Sequence, residues 1–141
     1  VNQRGESKMK EKISLDSSFF TVYFSGLNEE SRHLMERVYS GEYEGYILTI
    51  HLGEFLDTYR NVYGLTNTLV KLKLILESPI RVIPLTQEVV QDSIRIREQF
   101  PSLSLNDSYL LSSSTRLGSR IVTANPEIVK AKQDSILLNV V

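Results

Sequence analysis

Short β-prone apolar runs alternate along the chain with longer stretches in which apolar residues recur every three or four positions. Ile13 to Asp16 reads as a first strand, and the Ser17-Ser18 pair behind it suits the cap of a helix through Tyr23 and Phe24. Asn28, followed by Glu29 and Glu30, opens a second helix with Leu34, Met35, Val38 and Tyr39 on one side, and Gly41 stops it. Tyr46 to Ile50 is a continuous apolar run of the kind found in strands buried on both faces. Leu52, Phe55, Leu56 and Tyr59 follow at helical spacing up to Gly64. Glu54 lies off that stripe, on the flank with Thr58 and Asn61, which predicts that it edges a cleft rather than the core.

Leu65, Leu69, Leu72 and Leu76 form a further amphipathic stripe, and Ile80 to Ile83, before Pro84, reads as a third strand. Thr86 is placed to cap a helix carrying Val89, Val90 and Ile94 that closes near Pro101. Asn106 then caps one with Leu110, Ser114 and Leu117, ended by Gly118. Arg120 to Thr123 is a fourth strand, Pro126 opens a short helix, and Ile136 to Leu138 is a fifth strand. Strands separated by helices imply a mainly parallel sheet covered on both faces, because right-handed crossovers deposit helices there. The predicted class is α/β, a three-layer α/β/α arrangement with a mainly parallel five-stranded sheet.

The 141 residues suit one domain over 10–141, able to bury a core without disulfides. Residues 1–9, polar up to Met9, read as a flexible N-terminal extension or a remnant of expression. The absence of cysteine excludes disulfide frameworks, thiolate zinc sites and cysteine nucleophiles, so metal chemistry here would use oxygen or histidine. A formal net charge of -1 gives no whole-molecule attraction for nucleic acid. No apolar run approaches bilayer length and no secretory signal is evident, so a cytoplasmic location without membrane contact is the expectation.

In such a sheet, helix starts and strand ends share one edge, where ligands bind. Asp16 ends strand one, Glu54 falls in the first turn after strand two, Asp107 in the first turn of the helix before strand four, and Asn125 follows strand four. Four residues distant in sequence are thereby expected to converge. Helix dipoles favour ionised carboxylates at Glu54 and Asp107. Clustered carboxylates in a cleft repel, and a divalent cation relieves that repulsion. An all-oxygen set points to Mg²⁺ or Mn²⁺, which activates water and neutralises charge on phosphate.

These residues resemble the PIN-domain pattern: Asp16-Ser17-Ser18 at the end of strand one, Glu54 within Leu52-Gly53-Glu54-Phe55-Leu56, Asp107 within Leu105-Asn106-Asp107-Ser108, and Thr123-Ala124-Asn125 near the end. The likeness spans about Ile13 to Val141 in element order. By size the chain resembles stand-alone VapC-like toxins. That resemblance implies a Mg²⁺-dependent or Mn²⁺-dependent endoribonuclease acting on single-stranded RNA, a homodimer, and an antitoxin protein as partner. It also implies that Asp16, Glu54 and Asp107 are metal ligands and that Asn125 stands at a fourth catalytic position usually held by Asp, where it keeps an oxygen but loses a charge.

Each residue also has a plainer reading. Asp16 and Asn125 suit helix caps, Asp107 suits a first turn, and Glu54 and Asp57 suit a solvated helix face. His33 and His51 have no partner at ligand spacing and read as surface or packing residues. The Ser112 to Thr115 run is followed by no histidine, so a serine hydrolase is rejected and close helix packing preferred. Arg95, Arg97, Arg116, Arg120, Lys130 and Lys132 offer a phosphate-binding rim or merely a solvated face. The alternative to a nuclease is a catalytically weak PIN-like interaction module. A receiver-like or phosphatase domain would need a lysine soon after Thr123.

Overall fold

The computed structural model describes residues 10–140, so the N-terminal extension expected over residues 1–9 lies outside the described residues. Five parallel strands, β1 (Glu11–Leu15), β2 (Tyr43–Leu48), β3 (Arg81–Ile83), β4 (Arg120–Thr123) and β5 (Ile136–Leu137), form one sheet in the order β3-β2-β1-β4-β5. Between them run α1 (Ser17–Phe24), α2 (Glu29–Tyr39), α3 (Thr49–Glu77), α4 (Gln87–Gln99), α5 (Leu105–Leu117) and α6 (Pro126–Ala131). The chain winds outward from β1 to β3 and then crosses back to β4 on the other side of β1. With right-handed crossovers, that reversal puts the helices before and after β3 on opposite faces.

Two apolar clusters match the two faces. Phe19, Phe20, Leu34, Val38, Leu52, Phe55 and Ile75 pack with Ile13, Leu15, Ile47 and Val122 on one side. Leu103, Leu110, Leu111 and Ile128 pack with Ile121 on the other. Alternation along β4 explains the split, since Ile121 and Val122 point to opposite faces. The second face also buries the serines. The Ser14 and Ser119 hydroxyls pair at 2.6 Å, Ser114 donates to the Ser119 carbonyl, and Ser112 donates to the Val89 carbonyl. The three-layer α/β/α class is as the residue pattern predicts, and small hydroxylated residues on α5 serve close packing with their polar atoms satisfied.

Several boundaries differ from expectation. β1 begins two residues early, at Glu11, because it pairs with β2 from Tyr43 onward. Thr49 and Ile50 belong to α3 rather than to β2, so Glu54 sits in the second turn of its helix, beyond the strong reach of the dipole. Ser104 caps α5, accepting from the Asp107 amide at 3.1 Å, which leaves Asn106 inside the first turn. α3 breaks at Gly64, whose φ of 82° and ψ of 168° only glycine adopts readily.

Beyond Gly64 the predicted stripe faces the wrong way. Leu65, Leu69 and Leu76 are mostly exposed, while Thr68 and Ile75 are buried and Leu72 is half-buried. The break at Gly64 re-aims the helix, so that the face turned inward is the one containing a threonine. In α4 likewise, Ile94 is exposed and Ser93 is buried with its hydroxyl donated to the Val90 carbonyl. Among the described residues, no helix is long and apolar enough to cross a membrane.

Candidate active site at the strand ends

The strand order reverses at β1, and the crevice between the C-terminal ends of β1 and β4 is where an open parallel sheet binds its ligand. Asp16 stands there, 5% exposed, and caps α1. Its Oδ1 accepts from the Ser18 amide at 3.0 Å and from the Ser18 hydroxyl at 2.5 Å, while Oδ2 accepts from the Thr123 hydroxyl. Burial pushes the Asp16 carboxyl above the ordinary aspartate range, and the bonds from Ser18 and Thr123 and the nearby His51 offset part of that push.

From Asp16 the contacts run along the edge. The Thr123 oxygen also accepts from the Asn125 amide at 2.9 Å. The Asn125 side-chain oxygen caps α6 by accepting from the Glu127 amide at 3.0 Å, and its Nδ2 points at Oδ2 of Asp107, 3.4 Å away. That pairing fixes which end of the amide faces which way, since a carboxylate accepts and a backbone N–H donates. Asp107 is half-buried in the first turn of α5. Ser18 closes the ring by accepting from the Ala124 amide at 3.2 Å.

Glu54, also half-buried, borders an open cleft with Ser17, Ser18, Thr21, Thr58 and Ala124. The expected flank position beside Thr58 is therefore where the side chain is found. Its Oε1 lies 3.9 Å from Nε2 of His51, three residues earlier on the same helix. Asp57, by contrast, faces solvent and pairs with Arg60 at 2.9 Å.

His51 is the residue that sequence reasoning set aside and the structure brings to this edge. It is 1% exposed, and its Nε2 lies 2.8 Å from the carbonyl of Asn106, the residue before Asp107. A carbonyl only accepts, so Nε2 carries the proton. Nδ1 is buried without a hydrogen-bond partner among the described residues, a cost of about 1–3 kcal/mol for a buried polar atom. The available signal was the three-residue spacing from Glu54, which puts both on one helix face. His33, in agreement with its plainer reading, is exposed on α2.

Four of the six basic residues weighed as a phosphate-binding rim or a solvated face are ion-paired. Arg116 pairs with Asp92 and Arg120 with Glu11, both at 2.8 Å, and Lys130 pairs with Glu127 and Lys132 with Asp134, both at 2.9 Å. Arg116 is in the last turn of α5 and Arg120 at the start of β4, which is the opposite edge of the sheet from Asp16. Helices antiparallel to the strands carry basic last turns to that edge as a matter of course.

The donors gathered around Asp16 are oxygens apart from His51, the chemistry of a hard divalent cation. As placed, Glu54 turns to His51 and Asp107 to Asn125, and among the described residues no three His, Asp or Glu side chains stand together within reach of one ion. Asp16, Asn125 and Asp107 are joined by bonds through Thr123, while Glu54 approaches from the facing helix.

A family model described as PIN domain matches residues 13–133. None of the curated proteins matches the chain. Among solved structures, VapBC2 from Rickettsia felis bound to a DNA fragment from their promoter superposes with a TM-score of 0.73 at 16% identity, covering 91% of this chain and 98% of that one. A toxin-antitoxin complex from Klebsiella pneumoniae gives 0.70 at 16%, covering 92% and 99%. VapC20 of Mycobacterium tuberculosis, a sarcin-ricin loop cleaving toxin, gives 0.65 at 16%, covering 85% and 95%. At identities this low, the superpositions establish a shared fold alone.

Proposed function

The chain belongs to the PIN domain family, and from that premise we propose that it is a metal-dependent endoribonuclease that hydrolyses phosphodiester bonds in single-stranded RNA. The observation that carries this reading is Asp16: a carboxylate buried at the point where the strand order reverses, with no lysine or arginine among the described residues bonded to it. A buried anion met only by hydroxyl and amide donors favours a cation as its remaining partner. Asp16, Glu54 and Asp107 would hold Mg²⁺ or Mn²⁺, directly or through water. Glu54 and Asp107 are half-exposed, so each can turn toward Asp16 without disturbing the core.

When bound, such an ion lowers the pKa of its water and offsets charge growing on the phosphate oxygens. The chain's own residues supply the frame. Ser18 and Thr123 hold the Asp16 carboxylate in one orientation. Asn125 holds Asp107 and, being neutral, brings less charge to the edge than an aspartate would. With a net charge of -1 and Arg116, Arg120, Lys130 and Lys132 each paired to an acid, the protein offers RNA little electrostatic attraction of its own, so affinity for phosphate falls to the ion.

A protein partner is part of the proposal. Tyr63, Leu65, Leu69 and Leu76, each more than half exposed beyond or beside the break in α3, give an apolar surface of the sort that an antitoxin or a second copy of the chain would cover. One of the structural neighbours is named as a toxin-antitoxin complex, in keeping with an antitoxin partner. A non-cleaving interaction module is favoured by one observation, the commitment of the Asn125 oxygen to the α6 cap.

The deciding measurement is Mn²⁺ binding and cleavage of single-stranded RNA by the intact protein, Asp16→Ala and Asp107→Ala, each with and without a chelator. Cleavage that needs metal and both acids supports the nuclease. Cleavage that survives both substitutions and chelation removes it, and Mn²⁺ binding without cleavage favours the interaction module.

A further inference from the structure

We infer that His51 is a positioning residue that sets the spacing between Glu54 and Asp107, an inference resting on the metal-dependent reading of this edge. The helices bearing those two acids lie on opposite faces of the sheet and share only the strand-end edge. His51 spans that edge. Its Nε2–H donates to the carbonyl of Asn106 at 2.8 Å, which pins the first turn of α5 to the first turn of α3. Asp107 is the next residue along one helix and Glu54 is three residues along the other, with Oε1 3.9 Å from the same nitrogen.

Packing alone does not account for an imidazole here. A leucine would fill a buried site without leaving a nitrogen unpartnered, whereas Nδ1 of His51 is buried and unpaired. The side chain therefore carries a polar cost on one nitrogen in order to make a bridge with the other. The carbonyl it reaches belongs to a backbone segment whose own helix cap, Ser104, satisfies the Asp107 amide, so the first turn of α5 is tied at both its donor and its acceptor. Two half-exposed carboxylates on separate helices need such a tie if they are to meet one ion repeatedly at the same separation, because their own side chains provide none.

The test compares His51→Gln, whose amide can donate in place of Nε2, with His51→Leu, which keeps the bulk and removes the donor. Mn²⁺ affinity is measured by titration calorimetry, hydrogen exchange at the Ser108 amide without metal, and kcat and KM for RNA cleavage. We expect His51→Leu to weaken Mn²⁺ binding about 10–100-fold, to speed Ser108 exchange and to lower kcat with KM little changed, and His51→Gln to restore all three to within about threefold. Equal losses in both variants would make His51 a packing residue and overturn the inference, as would unchanged Mn²⁺ affinity in His51→Leu. If His51→Leu does not fold, His51→Asn, too short to reach Asn106, takes its place under the same criteria. Should the intact protein bind no Mn²⁺, the metal reading fails on its own, and Ser108 exchange still decides whether His51 ties the two helices.

Discussion

Thr123, at the end of β4, donates its hydroxyl hydrogen to Oδ2 of Asp16, at the end of β1, and the same oxygen accepts from the Asn125 amide. One small side chain thus connects the buried acid to the turn that carries Asn125 and, through it, Asp107. Replacing Thr123 by valine keeps the shape and removes both bonds. The metal-free protein should lose about 1–3 kcal/mol at neutral pH, read from urea unfolding, because a buried carboxylate and a backbone N–H are both left short of a partner. Thr123→Ser should recover most of it. A valine variant as stable as the intact protein would show that water replaces the hydroxyl there.

Asp16 makes stability depend on pH in an unusual direction. Burial holds its folded pKa above the ordinary aspartate value of 3.8, so between those two points the folded chain binds more protons than the unfolded one. Stability contributed by this group is then lost as pH rises through that window, and stays lost above it. Asp16→Asn cannot ionise and still accepts from the Ser18 amide, so the metal-free variant should melt higher than the intact protein at pH 7, with the gap closing toward acid. It should at the same time lose Mn²⁺ binding and cleavage. Melting curves from pH 3 to 8 with chelator present check this, and a variant less stable at pH 7 would count against an uncompensated charge at Asp16.

Asn125→Asp tests the fourth position of the site. An aspartate still accepts from the Glu127 amide and keeps the α6 cap, but an oxygen replaces the NH₂ group now 3.4 Å from Asp107. Both groups are partly open to solvent, so the repulsion should cost the metal-free protein about 1 kcal/mol or less. Mn²⁺ affinity and cleavage rate should both rise, and added Mn²⁺ should more than restore the melting temperature. An unchanged affinity would assign Asn125 to capping alone.

Much of the fold was legible because buried parallel strands and capped helices leave local marks. Tyr46 to Leu48, Arg120 to Thr123, the caps at Asn28 and Thr86, Pro126 at a helix start and Gly118 at a helix end are all where the residue pattern puts them. The order of the acids at one edge follows from the parallel connections, which is why the residue pattern groups Asp16, Glu54, Asp107 and Asn125 at one edge of the sheet. What the pattern concealed was orientation. The stripe from Leu65 to Leu76 has a helical period whether it faces core or solvent, and Gly64 sets the choice through backbone angles that no periodicity reports. His51 was concealed for a different reason: its partner is a backbone carbonyl 55 residues away, and a carbonyl has no signature in a sequence.

Gly64 also has an evolutionary reading. The inner arm of α3 carries His51 and Glu54, and the outer arm carries the exposed leucines, with the helix broken between them at Gly64. Substitutions on the outer arm therefore leave the backbone that carries His51 and Glu54 in place, so the two halves of one helix are free to diverge at different speeds.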